Sequence, residues 1–179
     1  MAVGRPDEMS DIEWLVALEE IRQLKARRDR YVDARDFDGL MELHAPEHVS
    51  HNDGQEPWTS SEELIENLRR IYWHTDFRSV GLHHSYDPEI VFDTPTTARA
   101  IWAQSGGGLQ KTDDHERWSH TYGYYYESYV KRDGRWLFTT RRWHNYANFG
   151  SEGVMFPNDP PKGSDGFDPD TFGRRTPRP

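Results

Sequence analysis

The chain has 179 residues, enough for one domain with a sizeable core, and its 31 acidic and 22 basic residues give a formal net charge of −9. A nucleic-acid backbone is therefore a poor partner. The absence of cysteine excludes a disulfide framework, a thiolate metal site and a cysteine nucleophile, and fits a cytoplasmic, reducing setting.

Residues 1–10 are polar with no apolar h-region, and no run approaches a membrane span, so no membrane partner is expected. Ser10 and Glu13 make a capping box. Trp14, Ala17, Leu18, Ile21, Leu24, Tyr31 and Val32 then recur at helical spacing, predicting a long first helix to about Arg35. Asp36 can cap a short second helix stopped by Pro46, and Ser60 with Glu63 repeats the capping signal before a third, carrying Leu64, Ile65, Leu68, Ile71 and Tyr72.

From Ser79 the period changes to two, predicting strands near 80–86, 89–92, 98–104, 118–130 and 136–148, with Asp133-Gly134 as a hairpin turn. Gly106-Gly107-Gly108 and the charged 111–117 segment read as a loop, either a lid or a disordered tip. After Gly150 the composition shifts to Pro, Gly, Asp and Arg. The organisation is thus an extension (1–10), one domain (11–150) and a tail (151–179) that lies over the body or is disordered. Helices followed by an antiparallel meander predict an α+β fold, a curved sheet wrapping a long N-terminal helix, with a ligand pocket at the cone's open end.

Seven Trp and nine Tyr in a chain only 34% hydrophobic suit either a ring-filled core or a pocket for an aromatic ligand. His83 and His84 lie adjacent on a predicted strand, where an imidazole is either an acid/base or a hydrogen-bonded core residue. Alternation groups His84 with Val80, Leu82 and Tyr86 and turns it toward the apolar side, unless a bulge near Pro88 shifts the phase. Arg28 falls on the core-facing stripe of the first helix. It is either an oxyanion or phenolate anchor or the partner of an acid such as Asp33. Asp33, near a helix C-terminus that disfavours negative charge, is either solvated or the acceptor for an imidazole. Tyr31 is a candidate acid or a core ring. Strand parity groups Trp102 with Gln104, Tyr122 with Tyr124 and Tyr126, and Arg141 with Trp143 and Asn145 as pocket walls, leaving Tyr125, Arg142 and His144 outside. His44, His48 and His51 lack a completing motif, so no metal is expected, and no nucleotide fingerprint is present.

The stretches Ile21-Arg22-Gln23-Leu24-Lys25 and Tyr31-Val32-Asp33-Ala34-Arg35-Asp36-Phe37-Asp38-Gly39-Leu40 resemble the opening helices of SnoaL-like proteins in the nuclear transport factor 2-like superfamily. Pro88-Glu89-Ile90, Pro95-Thr96-Thr97-Ala98-Arg99, Tyr122-Gly123-Tyr124-Tyr125-Tyr126 and Asp133-Gly134-Arg135-Trp136 resemble its strands, so that the likeness spans about 13–148. The resemblance, nearest to the bile acid 7α-dehydratases and more distantly to the scytalone dehydratases, implies a strand histidine base at His83 held by a helix aspartate at Asp33. Arg28, Gly106 and Asn145 stand where the bile acid enzymes have a tyrosine, an acid and an arginine, and Tyr86, Tyr124 and Tyr126 where related sequences have histidines. The bile-acid substrate therefore does not carry over. What the resemblance implies is a cofactor-independent lyase acting on a hydrophobic, phenolic small molecule, by dehydration or by retro-aldol, deformylating C–C cleavage as for lignin-derived diarylpropanes. His83, Asp33, Arg28 and Tyr31 are its catalytic candidates, and His84, Tyr86, Trp102, Tyr122, Tyr124, Tyr126, Arg141, Trp143 and Asn145 its binding candidates. An isomerase or cyclase with the same base and a non-catalytic binding or assembly module are the alternatives, and the fold implies a homo-oligomer, dimer or trimer.

Overall fold

The computed structural model describes residues 4–52, 55–73, 78–111, 114–151 and 153–155. Helix α1 spans Asp11–Ala34 and opens with the expected capping box, the Ser10 side chain accepting from the Glu13 N–H and Glu13 from the Ser10 N–H. It stops at Arg35, whose φ of 57° is left-handed. Helix α2, Phe37–Met41, is capped by Asp36, which accepts from the Gly39 N–H at 3.0 Å. Helix α3, Ser61–Trp73, begins with Ser60 Oγ accepting from the Glu63 N–H at 3.0 Å. Glu63 reaches past Ser60 to the Thr59 N–H, so the reciprocal half of the box is displaced by one residue. No helix among the described residues is long and apolar enough to cross a membrane.

The strands are β1 His44–His51, β2 Arg78–Thr94, β3 Thr97–Lys111, β4 Glu116–Arg132, β5 Arg135–Gly150 and β6 Gly153–Met155. They form one sheet in the order β1-β5-β4-β3-β2, with β6 also on β5. Strands β2 to β5 are an antiparallel meander, whereas β1 runs parallel to β5. Between β4 and β5, Asp133 and Gly134 both take positive φ (48° and 76°), as a two-residue hairpin turn needs. The sheet is curved but unclosed. Strand β1 lies at one edge of the sheet order, which is why Pro46, expected to end a helix, is tolerated inside a strand.

The core lies between α1 and the inner face of the sheet. Ala17, Ile21 and Leu24 pack with Phe92, Trp102, Tyr125, Tyr129, Trp136 and Phe138, while Val32, Phe37, Leu40 and Ile65 join the three helices in a second cluster. Before the capping box, Met9 is buried in the main core and the Gly4 carbonyl accepts from the Phe92 N–H, so residues 4–10 are seated on the fold.

Three further expectations are corrected. The predicted strands 80–86 and 89–92 are one strand, β2, with a bulge: Tyr86 pairs with Ala103 and Glu89 with Ile101, leaving one extra residue around Asp87, whose φ is 47°. The glycine run is not a loop. Gly106, Gly107 and Gly108 are ladder residues of β3, paired on one side with His83, Leu82 and Gly81 and on the other with Thr121, His120 and Ser119. A Cβ on Gly106 would stand 3.1 Å from the Leu82 carbonyl oxygen, so glycine there permits close approach of the strands. The parity of β4 is also reversed. Tyr125, Glu127 and Tyr129 face the core, whereas Tyr124 and Tyr126 pack with Val91 and Ile101 on the other face. Residues 112–113 of the predicted loop and 152 and 156–179 of the predicted tail lie outside the described residues.

Candidate active site

Helix α1 supplies the site through one stripe. Leu24, Lys25, Arg28, Asp29 and Val32 are buried and Asp33 is half-buried, the three- and four-residue steps of one helical face. Across from it, the β2 bulge sets the phase. Downstream of it Ile90 and Phe92 turn inward, and upstream of it the odd positions His83 and Ser85 do, bringing them against α1. His84 and Tyr86 are exposed on the opposite face.

Asp33 meets His83 at two points. Its Oδ1 lies 2.6 Å from His83 Nδ1 and its Oδ2 accepts from the His83 backbone N–H at 3.0 Å. A carboxylate can only accept, so Nδ1 carries a proton, and in the neutral ring the lone pair is on Nε2. His83 lines a cleft of about 360 Å³ whose other walls include Tyr72, Gln104, Thr121, Tyr125 and Trp143. The ring of Trp143 leans on Tyr125 with centroids 4.6 Å apart, giving the cleft one aromatic wall. The side chains of His83 and Asp33 are each about one-fifth exposed, placing the pair at the mouth.

Behind this wall is a buried charge cluster. Lys25 Nζ lies 2.6 Å from Glu127 Oε1 and 3.7 Å from Asp29 Oδ1, and Arg141 Nε lies 3.5 Å from the same Glu127 oxygen. Tyr129 donates to Glu127 at 2.5 Å and accepts from Trp102 Nε1 at 2.9 Å, so each Glu127 oxygen has a partner. Arg28, 2% exposed, has Asp29 at 3.7 Å, and its Nε and Nη1 make no hydrogen bond. Ser85 Oγ donates to Asp29 Oδ2 at 2.5 Å and lies 2.6 Å from the Gln104 amide oxygen, tying the cluster to the cleft.

Burial pushes the Lys25 ammonium below its usual range, against the attraction of Asp29 and Glu127. It would raise Asp29, but Lys25, Arg28 and the Ser85 hydroxyl outweigh it and hold this carboxyl below the usual value. His44 and His48 are buried on β1, His48 bonding the Phe138 carbonyl and Ser50. Burial first, then the charges of Arg28 and Arg141, lowers His48 to about 3. Both imidazoles are therefore neutral packing groups, and no cluster of metal-ligating side chains occurs among the described residues.

Of the expected site residues, the structure brings His83, Trp143 and Asp33 together at the cleft, with Arg28, Trp102 and Arg141 buried behind it. Arg28 pairs with Asp29 rather than Asp33. Asn145 is opposite Gly123 and outside the cleft lining, and the Tyr31 ring packs against Gly39 of α2. Tyr122, Tyr124 and Tyr126 leave the pocket because five consecutive residues, Tyr122 to Tyr126, are all compatible with either face, and the charged Glu127 belongs to the inward set. Tyr122 stacks instead on Phe149. Sequence reasoning missed Lys25, Asp29, Ser85, Tyr125 and Glu127. The i, i+4 series Lys25, Asp29, Asp33 along the apolar stripe was the signal available for the first two.

A family model described as a SnoaL-like domain matches residues 14–142. No curated protein matches the chain in sequence. Among solved structures, a candidate scytalone dehydratase from Novosphingobium aromaticivorans DSM 12444 superposes with a TM-score of 0.71 at 18% identity, covering 87% of this chain and 100% of the other. A hexachlorocyclohexane dehydrochlorinase, LinA-type3 from Novosphingobium barchaimii LL02, gives 0.69 at 17% identity, covering 83% and 99%. ActVI-ORFA from Streptomyces coelicolor gives 0.62 at 11% identity, covering 72% and 96%. These likenesses establish the fold.

Proposed function

The chain belongs to the SnoaL-like domain family, and from that premise we propose that it is a cofactor-independent lyase in which His83, oriented by Asp33, is the base. The observation that carries this reading is the two-point contact between Asp33 and His83 at a cleft with an aromatic wall. A base needs a fixed tautomer, a free lone pair and room for a substrate carbon, and this arrangement supplies all three.

The substrate is a hydrophobic, phenolic small molecule with a hydroxyl β to an activating carbonyl. His83 Nε2 takes the proton from the carbon between them. The electron pair delocalises onto the activating oxygen and then forms the new double bond as the β-hydroxyl takes the proton back from the His83 imidazolium and departs as water. Two of the structurally similar proteins are named for eliminations, one of water and one of hydrogen chloride, which favours this outcome. In C–C cleavage the same base takes the hydroxyl proton, the aldehyde leaves, and the imidazolium reprotonates the carbon. Arg28, Arg141 and Lys25, behind the aromatic wall, favour charge that develops on the activating oxygen.

The test is a panel of phenolic β-hydroxy ketones and diols followed by mass spectrometry for loss of water or formaldehyde. Wild type is expected to turn over at least one member, and His83→Ala and Asp33→Ala to bind it but not convert it. A panel untouched by wild type, or variants that turn over at the wild-type rate, overturns the reading.

A further inference from the structure

Tyr125 stands on the wall between the buried charge cluster and the cleft, which it lines together with His83 and Gln104. Cations lie against its ring: Arg141 Cζ is 3.6 Å from the ring centroid and Lys25 Nζ is 4.3 Å. Deep in the cone, among the described residues, three cations, Lys25, Arg28 and Arg141, share two anions, Asp29 and Glu127. Asp33 would balance the count, but it sits at the mouth and is engaged by His83. Arg28 shows the excess most plainly, since its Nε and Nη1 are buried without an acceptor and its carboxylate neighbour stands at 3.7 Å. An interior with surplus positive charge and unmet donors costs free energy that a bound anion relieves and a neutral or cationic ligand does not.

We propose that the Tyr125 hydroxyl, backed by Lys25, Arg28 and Arg141, is an oxyanion site that binds the planar conjugated oxygen anion of the substrate, an enolate or phenolate. The assignment deepens the lyase reading and rests on it, since an enolate arises where a base has taken a proton. Planarity follows from the wall, where Trp143 and Tyr125 offer ring surface. Burial pushes the Tyr125 phenol above its ordinary range, with Arg141 and Arg28 opposing, so at neutral pH the hydroxyl is protonated and donates. The base and the donor are then separate residues on separate strands, β2 and β4.

The assignment is tested without turnover, using 4-nitrophenol, whose absorbance distinguishes phenol from phenolate, and its neutral methyl ether, 4-nitroanisole. Below the solution pKa of the probe, wild-type protein is expected to hold it as phenolate, and to bind that form about tenfold or more tighter than the ether, the scale of a hydrogen bond to a charged group. Tyr125→Phe is expected to lose that preference while still binding the ether. Arg28→Met, off the cleft wall, is expected to reduce it and serves where the Tyr125 variant does not fold. Equal binding of phenolate and ether by wild type, or an unchanged preference in both variants, overturns the site. His83→Ala is expected to keep the preference. A wild-type protein that prefers phenolate yet converts nothing in the lyase panel would overturn the base and leave the oxyanion site standing.

Discussion

Asp33 uses both carboxylate oxygens on His83, Oδ1 on the imidazole Nδ1 at 2.6 Å and Oδ2 on the backbone N–H at 3.0 Å. The side chain of one residue thereby sets position and tautomer in the other, and ties α1 to β2 where the cleft opens. The orientation of the ring is a property of the pair and not of the strand alone.

Asp33→Asn keeps the size of this contact but can present an N–H to Nδ1, which moves the imidazole proton to Nε2 and removes the free lone pair. Turnover is expected to fall about 10²–10⁴-fold, with the thermal midpoint near wild type. Nitrogen-15 NMR of the His83 ring reads the tautomer directly; a ring that keeps its proton on Nδ1 in the variant would contradict this account.

Glu127 is fully buried and is shared by Lys25, Arg141 and Tyr129. Glu127→Gln leaves three buried cations, Lys25, Arg28 and Arg141, with Asp29 as the carboxylate left in the cluster, a loss of about 3–5 kcal/mol. Urea unfolding measures it. Lys25→Met added to Glu127→Gln is expected to restore part of that loss, because the cation stranded by the first change is removed by the second.

His48 titrates at about 3 in the fold against an ordinary 6.5, and His44 is lowered in the same direction, burial being the main cause for both. Between those limits the unfolded chain binds a proton at His48 that the folded chain does not. This contribution to stability is therefore complete above pH 6.5 and is lost as pH falls toward 3, at up to about 1.4 kcal/mol per pH unit. His48→Gln should show a shallower fall between pH 7 and 5 in denaturant melts, and an identical slope would contradict the assignment.

Gly123 lies under Trp143, and a Cβ there would run into the His144 carbonyl and the Trp143 ring. Gly123→Ala is expected to cost about 1–3 kcal/mol by overpacking and to displace the aromatic wall, weakening nitrophenol binding at the same time. Gly134→Ala at the β4–β5 turn, where no atom is within 4 Å but φ is 76°, should lower stability without touching binding.

The helices were legible because their signals are local: Ser10 with Glu13, Asp36 before Phe37 and Ser60 with Glu63 cap helices through bonds spanning three residues. The meander was legible from its two-residue period and from Asp133-Gly134. Residue chemistry alone also singled out Arg28 as a charge on an apolar stripe, and its burial follows from helical geometry.

What the sequence by itself determined is thus the three helices, the antiparallel meander and, through the family likeness, the pairing of a strand histidine with a helix aspartate. Which face each strand residue takes was decided only by the tertiary structure. One extra residue at Asp87 reverses the phase of β2 and turns His83 inward with Ser85, and a run of aromatics on β4 that suits either side is assigned by where Glu127 finds Lys25. A bulge has no periodic signature, and an ion pair joining residues 102 positions apart has no local one. Both exist only once α1 lies in the curve of the sheet, where burial makes an unpaired charge costly enough to choose the register.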